Sequence, residues 1–308
     1  MRDKEREDTL LEVEGLSKYF TSGIINKDVT VGAKNVSFEM REGEILSLIG
    51  ESGSGKTTIG RMILKLLEPS EGTITFKGQD ITNITSKEEK QKYYGQVQGV
   101  FQDPFSTFNS LFRARRIFDM VFRIYLPHVD NKREMILEAM EEVNLTPELL
   151  EKYPHQLSGG QLQRLLIARA LLLDVDILVA DELISMLDAS TRMGILNLLI
   201  DICQEKGLTI LFITHDLNLG YYISDYTLIL REGRLVERGE TKKVYEDPVH
   251  PYTEMLLESV PDIKERWSRD EEFLPEQINE ITENFYASND KEGFQRVDKD
   301  HYVLFSEV

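Results

Sequence analysis

The stretch EILSLIGESGSGKT, residues 44–57, sets the reading of the whole chain. Its first six residues form a short apolar run closed by Gly50, the pattern of a buried β-strand. Residues 50–57 then match G-x-x-x-x-G-K-[ST], a phosphate-binding loop. Gly50, Gly53 and Gly55 let the backbone curl round a phosphate, so that amides from Ser52 and Ser54 through to Thr58 point inward. Lys56 brings a positive charge to the β- and γ-phosphates, and the Thr57 hydroxyl is an oxygen ligand suited to magnesium. Downstream, Ile59, Met62, Ile63 and Leu66 recur at helical spacing. They predict a helix over 56–66 whose N-terminus favours anions. Strand, loop and helix together predict a nucleoside triphosphatase without saying which kind.

Working outward, loose alternation predicts strands over 10–20 and 36–40, and shorter ones over 73–77 and 98–102 on either side of a charged stretch. Residues 105–151 change character: Pro127 and a cap signal at Thr146 punctuate helical segments with no convincing strand. Alternation then resumes, with helices over 161–173 and 189–206 and strands over 175–180 and 208–214. Strands over 226–231 and 234–238 flank Glu232 and Gly233, a hairpin signal. Strands alternating with helices predict an α/β fold with a mainly parallel sheet, and the all-helical middle reads as an insertion. The strand ending at Ala180 delivers Asp181 and Glu182, where a phosphate-loop enzyme needs a magnesium ligand and a group to polarise water.

Composition limits the alternatives. Of 308 residues 41% are hydrophobic and 29% charged, and no apolar run nears the roughly 20 residues that cross a bilayer. Residues 1–8 are nearly all charged, unlike the core of a signal peptide, and read as a flexible N-terminus. A net charge of −18 speaks against nucleic acid as a partner, because phosphate backbones recruit Lys and Arg clusters. A single cysteine, Cys203, excludes an internal disulfide and any cluster that needs several thiolates. Its apolar neighbours Ile195, Leu198, Leu199 and Ile202 place it in a helix core.

Residues 157–161 read LSGGQ, followed by Gln163, Arg164 and IARA at 167–170. This resembles the signature of ABC ATPases, and the resemblance extends over nearly all of residues 9–260. It implies that Ser158, Gly159, Gly160 and Gln161 face the γ-phosphate held by the opposite subunit, so that each ATP is sandwiched between two chains. Gln102, within FQDP at 101–104, is similar to the glutamine that senses magnesium and joins the sheet to the helical insertion. Asp188, closing SMLD at 185–188, resembles the loop that crosses the dimer interface. His215, within ITHD at 213–216, resembles the switch histidine at the γ-phosphate. Phe20, or its neighbour Tyr19, resembles the aromatic that stacks on adenine. The resemblance further implies that Glu182 activates water, and that Thr57, Gln102 and, through water, Asp181 hold Mg2+. Leu183 and Ile184 depart from the family, which has Pro and Thr or a similar residue there. The turn is expected to survive, with its geometry left open.

HPYT at 250–253, then Leu256, Leu257 and SVP at 259–261, is similar to the segment after the ATPase core in dipeptide and oligopeptide importer subunits. That resemblance implies an ATP-binding subunit at the cytoplasmic face of the membrane, paired with a second ATPase subunit, identical or paralogous. Two transmembrane permease subunits and, indirectly, an extracytoplasmic binding protein are its implied partners. Peptides are the expected cargo. Oligosaccharides are the alternative, because the tail lacks the cysteines with which many peptide-type members hold an iron–sulfur cluster. ATP and Mg2+ are expected, and no such cluster. DNA-repair ATPases with these motifs insert long coiled coils, and translation-associated ones join two cassettes; neither pattern is present. The implied architecture is a P-loop core with an antiparallel β subdomain, a helical subdomain over about 105–155 and a C-terminal extension over 261–308. Within that extension, 301–305 reads either as a strand pairing with earlier tail residues or as an apolar disordered end, with order favoured.

Overall fold

In chain order, the computed structural model describes residues 9–22, 28–259, 275–289 and 293–306, so the expectation for residues 1–8 lies outside the described residues. Strands β1 (Thr9–Ser22) and β2 (Asp28–Arg41) lead into β3 (Ile45–Ile49), and the phosphate loop turns β3 into α1 (Lys56–Ile63). After β4 (Glu71–Phe76), β5 (Gln79–Asp80) and α2 (Lys87–Gln96), β6 (Val97–Phe101) enters the helical region. There lie α3 (Pro104–Thr107), α4 (Arg116–Ile124), α5 (Lys132–Glu142), 3-10 turns over Pro147–Glu151 and Pro154–Gln156, and α6 (Gly159–Leu171). The core resumes with β7 (Ile177–Asp181), α7 (Ala189–Lys206), β8 (Thr209–Thr214) and α8 (Leu217–Ile223). A hairpin of β9 (Tyr226–Arg231) and β10 (Arg234–Glu240) precedes α9 (Thr241–Glu246) and α10 (Pro251–Glu258). The tail supplies α11 (Pro275–Ser288), β11 (Phe294–Asp298) and β12 (His301–Leu304).

The described strands form two sheets, one antiparallel in the order β2-β1-β4-β5 and one ordered β11-β12-β10-β9-β3-β8-β7-β6. Within the larger sheet β9, β3, β8, β7 and β6 run parallel. Near-continuous apolar runs such as those of β3, β7 and β8 are what a sheet covered on both faces requires. Alternate residues divide between the two faces. Val179, Leu211 and Ile213 pack toward Ile59, Met62 and Ile63 of α1 and the antiparallel sheet beyond it. Leu178, Ala180, Ile210 and Phe212 pack toward Leu165 and Leu166 of α6 and Ile195 and Leu199 of α7.

Several elements differ from the sequence expectation. The helix expected over 56–66 ends at Ile63, because Lys65 turns left-handed at φ 52° and the amide of Leu66 returns to the Arg61 carbonyl. The charged stretch before β6 is a helix, α2, with Tyr93 as its buried residue and so no apolar periodicity to announce it. β2 begins at Asp28, eight positions before the strand expected over 36–40. Of the two readings of 301–305, strand pairing is the one observed: β12 pairs with β11 and also with β10, which ties the tail into the main sheet.

Candidate functional site

The carboxyl ends of four neighbouring strands meet at one rim, the usual place for a ligand in a parallel sheet. β3 ends beside Gly50, β6 beside Gln102, β7 at Asp181 and β8 just before His215. A cavity of about 970 Å³ opens there, lined by Gly50, Ser52, Gly53, Gly55, Lys56, Thr57 and Thr58 together with Gln102, Glu182 and His215. Two glycines are enforced by crowding. A Cβ on Gly50 would sit 2.1 Å from the Leu230 carbonyl oxygen, and one on Gly55 2.2 Å from that of Gly32. Ser54 is turned away from the cavity, and its carbonyl accepts the Gly233 amide at 2.8 Å.

Lys56 is buried and folds back on its own loop, its Nζ donating to the carbonyls of Gly50 at 2.6 Å and Glu51 at 2.7 Å. Burial lowers its pKa, against the opposing pull of Glu182, Asp181 and Glu51. A phosphate offers this ammonium a charged acceptor in place of two neutral ones. Thr57 Oγ1 donates to Asp181 Oδ1 at 3.2 Å. Burial raises the pKa of Asp181, while that hydrogen bond opposes the rise. These are hard oxygen donors of the kind Mg2+ prefers. Two such donors would leave the ion's other positions to phosphate and water.

Glu182 occupies a left-handed backbone conformation, φ 51°, with its amide donating to the Ile213 carbonyl at 2.9 Å. Such conformations cost energy and persist where neighbours enforce them. Here the enforcement comes from β8 and aims the Glu182 carboxylate at His215, with Oε1 2.8 Å from Nδ1. Phe20 lines the far side of the cavity with Thr30, Val31 and Gly32, and is 40% exposed. Tyr19 does not line it, so of the two aromatic candidates the structure brings Phe20 to the site.

The signature residues lie elsewhere. Ser158 caps α6 in a reciprocal box, its Oγ accepting the Gln161 amide at 3.2 Å while Gln161 Oε1 accepts the Ser158 amide at 3.0 Å. Gly159 and Gly160 press against α7 and the turn before it: added Cβ atoms would meet Leu187 at 3.1 Å and Thr191 at 2.5 Å. Asp188 caps α7, bonded to Ser190 and Thr191, and those hydrogen bonds hold its pKa well below the usual range. None of Ser158, Gly159, Gly160, Gln161 and Asp188 lines the cavity.

Leu183 and Ile184 are buried in the larger core, and the turn is held by hydrogen bonds in place of a proline: Ser185 Oγ donates to the Glu182 carbonyl at 3.0 Å and Arg192 Nη2 to that of Ser185 at 3.0 Å. Gln163 joins the site without a role implied by its motif. Its buried amide Nε2 donates to the Leu183 carbonyl at 2.8 Å and reaches those of Phe101 and Gln102 at 3.3 and 3.4 Å. One side chain thus ties the signature helix to both the Gln102 loop and the turn after Glu182. A polar residue inside the apolar run of Leu162, Leu165, Leu166 and Ile167 was its signal. Leu256 and Ser259, from α10 and its end, also line the cavity unannounced.

The ABC transporter family matches residues 33–185, and the oligopeptide/dipeptide transporter C-terminal region matches 236–285. The chain is 39% identical to the oligopeptide transport ATP-binding protein AppF of Bacillus subtilis (strain 168) over 267 residues, 85% of this chain and 81% of that protein. This chain belongs to the ABC transporter family. It is an ABC ATPase cassette, with hydrolysis coupled to transport. The cassette is also 43% identical to the oligopeptide transport ATP-binding protein OppF of Streptococcus pyogenes serotype M1 over 254 residues, 82% of each chain. It is similar to the solved dimeric ATP-binding cassette MJ0796 in a post-hydrolysis state bound to ADP and Pi. That likeness has a TM-score of 0.68 at 27% identity and covers 75% of this chain and 99% of the other. Among the described residues no helix of this ABC cassette is long and apolar enough to cross a membrane.

Proposed function

We propose that this ABC cassette powers oligopeptide import from the cytoplasmic face of a membrane, hydrolysing ATP in a site that a second cassette completes. The observation that carries this reading is the separation just described. Phosphate-loop, acid and histidine groups converge on the cavity, while the signature residues stand outside it. The match of 236–285 and the two oligopeptide transport relatives support peptides over oligosaccharides as cargo.

In this reading Phe20 stacks on adenine, and Lys56 with the loop amides holds the β- and γ-phosphates. Thr57 and Gln102, with Asp181 through water, would hold Mg2+, which supplies charge neutralisation at the phosphate oxygens. Glu182 orients the attacking water and takes its proton. His215 holds the Glu182 carboxylate in place before ATP arrives and stabilises charge at the γ-phosphate. The partner subunit's Ser158, at a helix N-terminus, completes that stabilisation. Phosphoryl transfer depends mainly on positioning and electrostatics, so each half alone is inert. The helical region exposes Phe105, Phe112, Met120, Ile124 and Tyr153, with Leu111 79% exposed at the extreme, a surface suited to cytoplasmic helices of two permease subunits.

Phosphate release by the purified chain, measured against protein concentration, tests the shared site. A rate per chain that rises with concentration and then saturates is expected. A rate per chain independent of concentration down to the nanomolar range contradicts it.

A further inference from the structure

The HPYT segment has no part in the mechanism above, yet it sits against the nucleotide cavity. His250 caps α10, its Nδ1 accepting the Tyr252 amide at 3.1 Å, and Pro251 takes the first helical position. Tyr252, 2% exposed, directs its phenol oxygen at the phosphate loop, where it accepts the Glu51 amide at 3.4 Å. On the same helix Leu256, with Ser259 at its end, forms part of the cavity wall.

The rear of α10 is held by the tail. Glu237 of β10, fully buried, accepts the amides of Val249 at 2.9 Å and His250 at 3.1 Å and pairs with His301 of β12 at 2.7 Å. His250 Nε2 meets the Tyr286 hydroxyl of α11 at 3.1 Å. Burial, with Arg231 nearby, lowers the His250 pKa to about 3, so its ring stays neutral and able to accept the capping bond. Arg231 lies 5.2 Å from the Tyr252 ring centroid while its guanidinium donates to Thr282 Oγ1 of α11 at 2.6 Å and to Asn279. A continuous run of contacts therefore leads from α11 through Arg231 and Tyr252 to the backbone of the phosphate loop.

We propose that the C-terminal extension is a brace for nucleotide binding: α11 and β12 fix α10, whose Tyr252 positions the phosphate loop and whose Leu256, with Ser259, walls the cavity. The loop carries glycines at 50, 53 and 55, and a loop so permissive gains affinity from any anchor that limits its alternatives. Tyr252 is a positioning residue; it acts through Glu51 and needs no contact with the nucleotide.

The inference rests on reading the cavity as an ATP site, and ATP binding by the unaltered chain tests that reading separately. Tyr252→Phe removes one oxygen and keeps the ring under Arg231; Thr282→Val, nearly isosteric, removes one of the two hydrogen bonds that tie Arg231 to α11. Calorimetric titration of ATP into the full chain should show each variant weakened about two- to tenfold, the range of one net hydrogen bond. Melting temperatures should stay within about 2 °C of the parent, which a merely structural role would not allow. The double variant should be no weaker than the more affected single one, because both act along one path. Unchanged affinity in both single variants, or fully additive losses in the double, overturns the brace. An unaltered chain that binds no ATP overturns the cavity reading and the brace with it.

Discussion

At the phosphate-loop end Lys56, Thr57 and His215 each lean on a partner that a bound nucleotide and its ion can replace. At the signature end Ser158, Gln161 and Asp188 are engaged with the helices they start. The first end is a cleft whose polar groups wait in provisional contacts. The second is a rigid presented surface, where a capped helix and two tightly packed glycines hold first-turn amides in place. A helix N-terminus without a pocket is half of an anion site, and a pocket without it lacks part of the charge stabilisation. In the proposed reaction the two ends come from different copies of the cassette.

Substitutions that affect one end and spare the other sharpen this contrast. The largest effect is expected of Glu182→Gln: turnover should fall at least about a hundredfold while ATP still binds, read by phosphate release against calorimetry. Retained turnover would remove Glu182 from its role. Lys56→Ala should cost about 2 kcal/mol of ATP affinity, the scale of a lost charged hydrogen bond. Near-parental binding would break the phosphate-loop reading. Phe20→Ala should weaken binding by about 1 kcal/mol, whereas Tyr19→Ala should leave it unchanged, and the reverse order would move the adenine platform to the neighbour. Ser158→Ala should leave the affinity of a single chain for ATP untouched. It should instead lower stability by about 1 kcal/mol through the lost cap, measured by thermal melting. A loss of single-chain affinity would mean that the two ends are not separate.

Much of the parallel core was readable because it is built from near-continuous apolar runs, and β3, β7 and β8 carry them plainly. The cavity's phosphate-binding side was equally plain, since crowding by Leu230 and Gly32 leaves room only for glycine at 50 and 55. What escaped lacks periodicity or depends on distant partners. α2 buries Tyr93 alone, though the Ser86 cap and Glu89 three positions on were a start signal. Gln163 and Tyr252 matter through carbonyls and an amide that only the fold brings near them. That Phe20 and not Tyr19 lines the cavity likewise follows from the strand's register, because successive side chains on a strand face opposite ways.

In the proposed mechanism each chain holds two half-sites that must meet across two cassettes. Light scattering after gel filtration of the Glu182→Gln chain tests it most directly, with and without magnesium and ATP. The mass of one chain is expected without nucleotide and of two chains with it. A single-chain mass with ATP demonstrably bound would contradict the mechanism.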